Sequence, residues 1–316
     1  MKRTLLLPVA VAGMILPIAV ADEIRVGILG TDSSHAVAFT EILNDPSLST
    51  HIPGARVVAA VKGGSPDLAK SYERVDRFAE EIRTKWGVEI VPDTATLCAR
   101  VDAVIVGSID GRVHLEQVRQ VLKARKPMYI DKPLAASLDD AREIARLARD
   151  AGVPWFSSSS LRFSPLAAES KFTDARGYIV WGPGPLEEHH RMELAWYGVH
   201  SADLLFALMG RGCEEVTRTF TDDADVTTCR WKDGRIGTMR INRPYSEFGV
   251  VAFRVKEVSR SAPNPGTGYP ELMREVVRFF ETGRSPVSPE ETIEVFAFMD
   301  AAQRSKEAGG APQKLR

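Results

Sequence analysis

Cysteine is scarce in this chain of 316 residues, which contains only Cys98, Cys213 and Cys229. Their spacing matches no metal-binding motif, and we expect no metal site. At most one disulfide can form, and it would leave one thiol over. Three structural thiols are the alternative.

An excess of charge of either sign is also missing, because 41 Lys and Arg residues nearly balance 42 Asp and Glu residues, for a net charge of −1. No internal repeat or low-complexity tract is present. This balance gives no indication of a nucleic-acid or membrane-surface partner. The length and an ordinary globular composition predict two domains.

The first residues have the features of a secretory signal peptide. Lys2 and Arg3 precede an apolar stretch at 5–20, and Ala19-Val20-Ala21 forms a small-x-small cleavage site. We therefore predict a signal peptide over residues 1–21 and a periplasmic or extracellular mature protein without a membrane anchor. A membrane anchor is the alternative, which the short stretch and its prolines disfavour. Export would permit a disulfide.

Residues 22–154 alternate short apolar runs with amphipathic stretches. This pattern predicts a Rossmann-type, doubly wound α/β domain with a parallel sheet. Strands are predicted at 24–29, 56–61, 103–106, 127–130 and 154–157, and helices at 34–43, 67–85, 113–124 and 138–151.

Residues 155–316 have a different pattern, which predicts an α+β domain with an open, mostly antiparallel sheet. Lys232-Asp233-Gly234 has the composition of a hairpin turn. Strands are predicted at 177–181, 215–220, 226–231, 236–241 and 250–255, and helices at 197–209, 270–281 and 289–306.

The turn after the first strand contains part of a dinucleotide-binding fingerprint. Gly30 fits the first glycine position, but Asp32 and His35 stand at the second and third. Asp32 would repel a pyrophosphate unless it turns away or binds a ribose hydroxyl. An ordinary strand–turn–helix with Asp32 or Ser33 as N-cap is the alternative. The candidate cofactor-binding residues here are Gly27, Gly30, Thr31, Asp32, Ser33, Ser34 and His35.

Lys62 follows the second strand, where an NAD site usually has an acidic residue for the adenosine ribose. A cation here suits a 2′-phosphate, which favours NADP over NAD. A solvated lysine at the end of a strand is the alternative.

Lys132, followed by Pro133, closes a predicted strand at the carboxyl edge of the parallel sheet. This position directs its ammonium into the ligand crevice. His200 and Asp203 are three residues apart and share a helix face. A histidine near a lysine in a cleft forms a plausible acid/base pair, although a histidine on an apolar helix is often structural.

These pieces occur in one order over nearly the whole mature chain. Besides Gly27 and Gly30, they comprise Asp102-Ala103-Val104-Ile105-Val106 with His114, Asp131-Lys132-Pro133, Arg162-Phe163-Ser164-Pro165, Gly198-Val199-His200-Ser201-Ala202-Asp203, and the C-terminal segment 279–287 with Glu290-Glu291. In this order and spacing, the chain resembles the Gfo/Idh/MocA oxidoreductase family.

The resemblance implies a nicotinamide cofactor and a sugar, polyol or related hydroxyl substrate. Lys132 would hydrogen-bond the reacting hydroxyl, and His200 would accept its proton. The resemblance also implies self-association through the C-terminal sheet. Further cofactor contacts are expected from His114 and Asp131, and substrate contacts from Arg162, Trp196, Tyr197 and Asp203.

The chain also departs from the family. Trp196 stands where many relatives have an Asp four residues before the histidine. The candidates to replace this carboxylate, all in the preceding segment, are Glu187, Glu188, His189, His190 and Glu193.

Three functions follow as hypotheses, and the leading one is an NAD(P)-dependent oxidoreductase. An exported protein meets no free nicotinamide pool, so a tightly bound cofactor is expected. The second hypothesis is a redox-neutral enzyme that cleaves a glycoside or epimerises a sugar with bound NAD(P). The third is a non-catalytic nucleotide- or sugar-binding module, which the missing glycines favour.

Overall fold

The computed structural model describes residues 23–262, 266 and 268–316, so the predicted signal peptide lies outside the described residues. The first part of the chain contains β1 (Ile24–Leu29), α1 (Ser34–Asn44), β2 (Ala55–Val61), α2 (Ala69–Tyr72), α3 (Val75–Trp86), β3 (Glu89–Ile90), α4 (Thr94–Arg100), β4 (Ala103–Val106), α5 (Gly111–Lys123), β5 (Met128–Asp131), α6 (Leu138–Ala151) and β6 (Trp155–Ser158).

The second part begins with a 3₁₀ turn (Ser160–Phe163). It continues with α7 (Pro165–Ser170), β7 (Ala175–Pro183), α8 (Glu193–Trp196), α9 (Val199–Met209), β8 (Cys213–Phe220), β9 (Ala224–Trp231), β10 (Ile236–Asn242), β11 (Gly249–Arg254), β12 (Val258–Arg260), α10 (Tyr269–Thr282), α11 (Pro289–Glu307) and β13 (Gln313–Lys314). None of the described helices is both long and apolar enough to span a bilayer.

The first sheet has the strand order β3-β2-β1-β4-β5-β6, and all of its pairings are parallel. This order confirms the predicted Rossmann-type architecture. Strands β4 and β5 are buried along their whole length because helices cover both faces of the sheet. The strand order reverses between β1 and β4, and a crevice opens beyond the carboxyl ends of these strands.

Helix α1 begins where its N-cap is supplied by Ser33, one of the two residues considered for that role. The backbone N–H of His35 donates to Ser33 Oγ at 3.2 Å. Such a cap satisfies one of the first-turn amides, which have no partner within the helix. It also fixes the N-terminus of α1 at the carboxyl end of β1, facing the crevice.

The prediction of one helix over residues 67–85 is wrong in its first half. The chain forms the single-turn helix α2, breaks, and then forms α3. The connection between β2 and α3 therefore occupies residues 62–74. It is much longer than the connections usual in α/β units, which have about 2–6 residues. Ser71, in this connection, is completely buried.

The second sheet has the order β12-β11-β7-β10-β9-β8-β13. Its pairings are antiparallel except that of β7 with β10. The predicted hairpin turn joins β9 to β10, and Gly234 adopts a φ of +87°, which favours glycine. This sheet confirms the predicted mostly antiparallel second sheet.

The boundary predicted at residues 154/155 lies one strand too early. Strand β6 pairs in parallel with β5, so the chain leaves the first sheet only after Ser158. The later helix α10 also returns to the first domain, where Met273 and Phe279 share a buried cluster with Phe39 and Phe156. Packing between distant segments sets the domain limits, which no local pattern marks.

Cys213 and Cys229 form a disulfide between β8 and β9, and Cys98 is a buried free thiol. One bridge with one thiol left over was the first of the two alternatives considered. The strands are adjacent in the sheet, which brings two cysteines 16 residues apart to a Cα separation of 6.0 Å. Burial raises the pKa of the Cys98 thiol.

We expect reduction of this disulfide to lower the free energy of unfolding by about 3 kcal/mol, because the bridge restricts the unfolded chain over a loop of about this length. Urea denaturation with and without dithiothreitol measures the change. A Cys98→Ala variant should respond to the reductant as the wild type does. Three reactive thiols in the denatured, unreduced protein would contradict the pairing.

Candidate active site

A cavity of about 590 Å³ lies between the carboxyl edge of the first sheet and the second domain. A larger cavity of about 860 Å³ lies near α6 and α11, but its polar groups are mainly arginines and glutamates at the protein surface. The smaller cavity contains buried lysine and histidine side chains, so we assign the site there. Its lining includes Ser33, Ser34, His35, Arg74, Ile109, Lys132, Tyr197, His200, Tyr245, Glu247 and Tyr269.

Lys132 follows directly on β5 and lines this cavity. Lys132 is only 8% exposed. Its ammonium makes no hydrogen bond with the described residues. Burial lowers the pKa of Lys132, while the charge of Asp131 opposes this effect. A buried cation without a protein partner is available to a ligand.

His200, in the first turn of α9, lines the same cavity. Its Nδ1 lies 2.7 Å from Ser159 Oγ, which fixes the orientation of the ring. Burial lowers the pKa of His200 well below its usual value, and the positive charge of Lys132 lowers it further. The imidazole is therefore neutral at neutral pH and can accept a proton.

Asp131 lies at the end of β5, beside Lys132 but directed to other partners. Its Oδ2 accepts a hydrogen bond from His35 Nδ1 at 2.6 Å, and its Oδ1 accepts one from the Tyr129 hydroxyl at 3.0 Å. Burial disfavours its ionisation, but His35 and its other partners outweigh burial and lower the pKa of Asp131 to about 2. Asp131 is therefore an enclosed anion.

The other ring nitrogen of His35 continues this network into the cavity. His35 Nε2 lies 3.0 Å from the hydroxyl of Tyr269. Burial, with the charge of Asp131, raises the pKa of Tyr269 to about 12. Tyr269 thus presents a protonated hydroxyl to the cavity, oriented by His35 and Asp131.

The glycines expected to approach the cofactor have different surroundings. Gly30 has a φ of +104°, and a Cβ there would lie 2.3 Å from Ser108 Oγ, so only glycine fits. Gly27 lies within β1, where a Cβ would lie 2.9 Å from Leu97. Gly27 therefore serves the packing of α4 on the sheet.

Thr31 and Asp32 point away from the cavity and are completely buried. The Thr31 hydroxyl donates to the carbonyl of Val75 at 3.0 Å. Asp32 accepts from Ser71 Oγ at 2.6 Å and from the backbone N–H of Ile109 at 3.1 Å. Burial raises the pKa of Asp32, although these hydrogen bonds oppose the shift. Asp32 is held by these two hydrogen bonds and does not line the cavity.

Two further residues expected to contact cofactor lie outside the cavity lining. His114 is fully buried, and its two ring nitrogens lie 3.2 and 2.9 Å from the carbonyls of Leu134 and Ser108. Lys62 is exposed and pairs with Asp76 at 2.8 Å. His114 thus has a structural position in this conformation, and Lys62 resembles the solvated lysine considered as its alternative.

Of the four expected substrate contacts, only Tyr197 lines the cavity. Arg162 instead pairs with Asp203 at 2.7 Å and with Glu291 at 2.5 Å. Asp203 also accepts from the backbone N–H of Ser159 at 2.8 Å. Arg162 and Asp203 therefore position Ser159, the partner of His200, and do not face the ligand.

Trp196 is buried against His190, with ring centroids 5.0 Å apart. The groups considered as replacements for the missing carboxylate also lie outside the cavity lining. His190 bonds Asp110 at 3.0 Å, His189 pairs with Glu187 at 2.8 Å, and Glu193 pairs with Arg218 at 2.7 Å. Among the described residues, the side-chain hydrogen-bond partner of His200 is Ser159 and not one of these groups.

Sequence patterns did not identify Ser159, Tyr129 or Tyr269 as members of the site. Ser159 belongs to a run of four serines, which has the composition of a loop. Tyr269 is 234 residues from its partner His35. No periodicity or motif connects positions so far apart. Among the described residues, no group of three or more His, Cys, Asp or Glu is placed to hold a metal ion.

A nicotinamide dinucleotide would meet two different environments in this crevice. The nicotinamide end fits the cavity, which contains Lys132 and the N-terminus of α1 at Ser33 and Ser34. Near the expected adenosine end, Thr31 and Asp32 are completely buried in this conformation and present no group to a ligand.

Fold and site together define a Rossmann-type protein with a ligand cavity at the carboxyl ends of its parallel strands. Residues 24–158 match the model of the Gfo/Idh/MocA family, described as an oxidoreductase family with an NAD-binding Rossmann fold. This match over the first sheet and its helices confirms the resemblance seen in the motifs.

Two curated relatives match parts of the chain. The inositol 2-dehydrogenase of Rubrobacter xylanophilus is 32% identical over 126 residues, which cover 39% of this chain and 31% of the relative. The 1,5-anhydro-D-fructose reductase of Ensifer adhaerens is 44% identical over 62 residues, which cover 20% of this chain and 18% of the relative. The chain thus spans less than a third of either relative.

Solved structures resemble the chain over both domains. The myo-inositol dehydrogenase of Lactobacillus casei, in complex with NAD(H) and myo-inositol, has a TM-score of 0.71 at 17% identity, covering 93% of this chain and 97% of that one. An oxidoreductase of Agrobacterium radiobacter, in complex with NAD+, L-tartaric acid and magnesium, has a TM-score of 0.72 at 14% identity, covering 93% and 98%. At these identities the likeness establishes the fold alone.

We expect Asp131→Asn to destabilise the protein most at neutral pH. The pKa of Asp131 is about 2 in the folded chain, against an ordinary value of 3.8. Its ionisation therefore contributes about 2 kcal/mol above pH 4, and this is lost as the pH falls toward 2. The difference in unfolding free energy between wild type and variant, measured in urea from pH 6 to pH 3, should narrow below pH 4.

The exposed Asp139→Asn provides the control, since Asp139 forms no hydrogen bond through its side chain with the described residues. Its effect on stability should be small throughout. A difference between wild type and Asp131→Asn that stays constant over this range would show that Asp131 is not an enclosed anion.

Proposed function

We propose that this protein is a nicotinamide-dependent oxidoreductase that acts on a hydroxyl group of a sugar, polyol or related small molecule. The observation that carries the proposal is the buried ammonium of Lys132, which has no hydrogen-bond partner among the described residues and lines the same cavity as the neutral imidazole of His200. The curated relatives named for inositol and anhydrofructose support this substrate class.

The two side chains have complementary tasks. The Lys132 ammonium donates to the reacting hydroxyl and stabilises the negative charge that develops on its oxygen. His200 accepts the proton, because burial keeps the ring neutral and Ser159 holds its orientation. Tyr269 and Tyr197 supply further hydroxyl groups for a substrate with several hydroxyls.

A nicotinamide cofactor bound in this cavity would supply the acceptor for the hydride of the substrate carbon. Ser33, Ser34 and Ile109 are the residues we assign to its nicotinamide half, since they line the cavity at the N-terminus of α1. We keep NADP as the preferred form on the basis of Lys62. A 2′-phosphate would compete with Asp76 for this ammonium.

We also propose that the protein is exported and works in an oxidising compartment. The disulfide between Cys213 and Cys229 supports this location. A redox-neutral reaction on a bound cofactor is the second candidate. It is favoured by the closed adenosine end of the crevice, which would slow the exchange of cofactor in each turnover.

Self-association through the second sheet is a further proposal. Ile236, Gly177 and Phe253 stand side by side on β10, β7 and β11, and Val258 pairs with Phe253. Three of these are apolar side chains that are at least 40% exposed. An exposed apolar row on an open sheet suits a second copy of the chain.

We expect Lys132→Ala to lower turnover by at least about a hundredfold, because the developing charge loses its buried cation. Absorbance of reduced nicotinamide at 340 nm, over a panel of inositols, sugars and sugar acids, measures the activity. The exposed Lys123→Ala controls for the loss of a charge, and circular dichroism controls for folding. Wild-type activity of Lys132→Ala on a confirmed substrate would show that the site is assigned wrongly.

Lys62→Asp should shift the preference from NADP toward NAD, since a carboxylate repels the 2′-phosphate and accepts hydrogen bonds from ribose hydroxyls. Equilibrium titration of both cofactors measures the ratio of dissociation constants. Lys85→Asp, on the exposed face of α3, should leave the ratio unchanged. Equal affinities before and after the change would remove Lys62 from the site.

A further inference from the structure

We infer that residues 62–74, here called the cover segment, close the adenosine half of the crevice together with Asp32. Free dinucleotide is excluded until this segment opens. The inference rests on the proposed function for the identity of the ligand. The closure itself rests on contacts among the chain's own residues.

The cover segment is held from within by Ser71 of α2. Ser71 Oγ accepts from the backbone N–H of Ser65 at 2.7 Å and donates to Asp32 Oδ2 at 2.6 Å. The segment is far longer than a usual βα connection, so its length is sufficient to fold back over the first turn. Ser71 thereby connects Ser65, within the same segment, to Asp32 in the turn after β1.

Asp32 bridges the gap across which a pyrophosphate would lie. In a Rossmann fold the second fingerprint glycine leaves room for this group at the N-terminus of the first helix. Here that position is Asp32, and its Oδ1 accepts from the backbone N–H of Ile109 in the loop after β4. A carboxylate of the protein therefore connects the two loops, and a bound pyrophosphate would have to displace it.

The backbone after β2 also lies directly against the turn after β1. Gly63 has a φ of +62°, and a Cβ there would lie 3.0 Å from the Cα of Gly30. The backbone N–H of Thr31 donates to the carbonyl of Lys62 at 2.7 Å, which extends the pairing of the two strands by one residue. The start of the cover segment is therefore fixed against the turn that contains Asp32.

A second fastening ties the cover segment to α5 and to the loop after β7. Ser65 Oγ donates to Asp110 at 2.6 Å, and Arg112 pairs with both Asp67 and Asp110. His190 Nε2 lies within hydrogen-bond distance of the Asp110 carboxylate, at 3.0 Å. Burial disfavours ionisation of Asp110, but His190 and Arg112 outweigh it and lower the pKa of Asp110 below its usual range.

Opening therefore requires the Asp32 contacts to break, while the cavity at Lys132 stays accessible throughout. This requirement predicts gated binding, in which a first-order opening of the cover segment limits the rate at which the dinucleotide associates. Stopped-flow fluorescence of NADH and NADPH with the full mature chain tests it. The observed rate for wild type should level off as the cofactor concentration rises.

Asp32→Gly restores the fingerprint glycine and removes both bridging hydrogen bonds. We expect its rate plateau to rise about ten- to hundredfold, the factor equivalent to a charged hydrogen bond. Glu73→Gln removes an exposed carboxylate of the same segment that makes no side-chain hydrogen bond with the described residues, and it should behave as wild type. A wild-type rate that rises linearly with cofactor concentration and is unchanged by Asp32→Gly overturns the closure.

Hydrogen exchange without cofactor separates this inference from the proposed function. The amides of Ser65 and Ile109 should be protected in wild type and in Glu73→Gln, and should lose protection in Asp32→Gly. Rapid exchange of both amides in wild type overturns the closure whatever binds. Protected amides, with no binding of NADH or NADPH to wild type or Asp32→Gly, support the closure and count against the nicotinamide cofactor.

Discussion

The enclosed carboxylate of Asp131 is the charge on which the site depends. An unpaired carboxylate at this depth would be costly, so it persists only because His35 and Tyr129 bind it from two elements. Burial lowers the pKa of Lys132, and the charge of the same anion opposes this shift. Through His35 it also reaches Tyr269 at the start of α10. This buried charge thus affects the protonation or orientation of groups from three separate stretches of chain.

The parts of the fold that the sequence predicts are those encoded locally. Five of the six strands of the first sheet were predicted from short, largely apolar runs, whereas the two-residue β3 (Glu89–Ile90) has no such run and was not predicted. The sequence also predicts Lys132 and His200 as site residues, because each belongs to a motif a few residues long. Their partners were not predicted, since Ser159 lies 41 residues from His200 and Ser71 lies 39 residues from Asp32. Such pairs exist only after the chain has folded.

Charged residues in a motif were the hardest to interpret from sequence. Arg162 and Asp203 have the chemistry of substrate ligands, but the fold brings them together as a buried ion pair. Each satisfies the other, and neither has a charge left for a ligand. Lys132 differs because Asp131, its neighbour in sequence, is already bound by His35. Whether a buried charge is available to a ligand depends on which partners bind it in the folded protein. This follows from the three-dimensional structure and not from a local sequence pattern.

The return of α10 to the first domain affects how the two halves can be separated. Val276 and Phe279 of this helix complete the core beneath Phe39 and Phe156, although they follow every strand of the second sheet except β13. A fragment that stops at Ser158 would leave this apolar surface bare to water. The core of the nucleotide-type half is therefore complete only when α10, synthesised after β7 to β12, has packed against it.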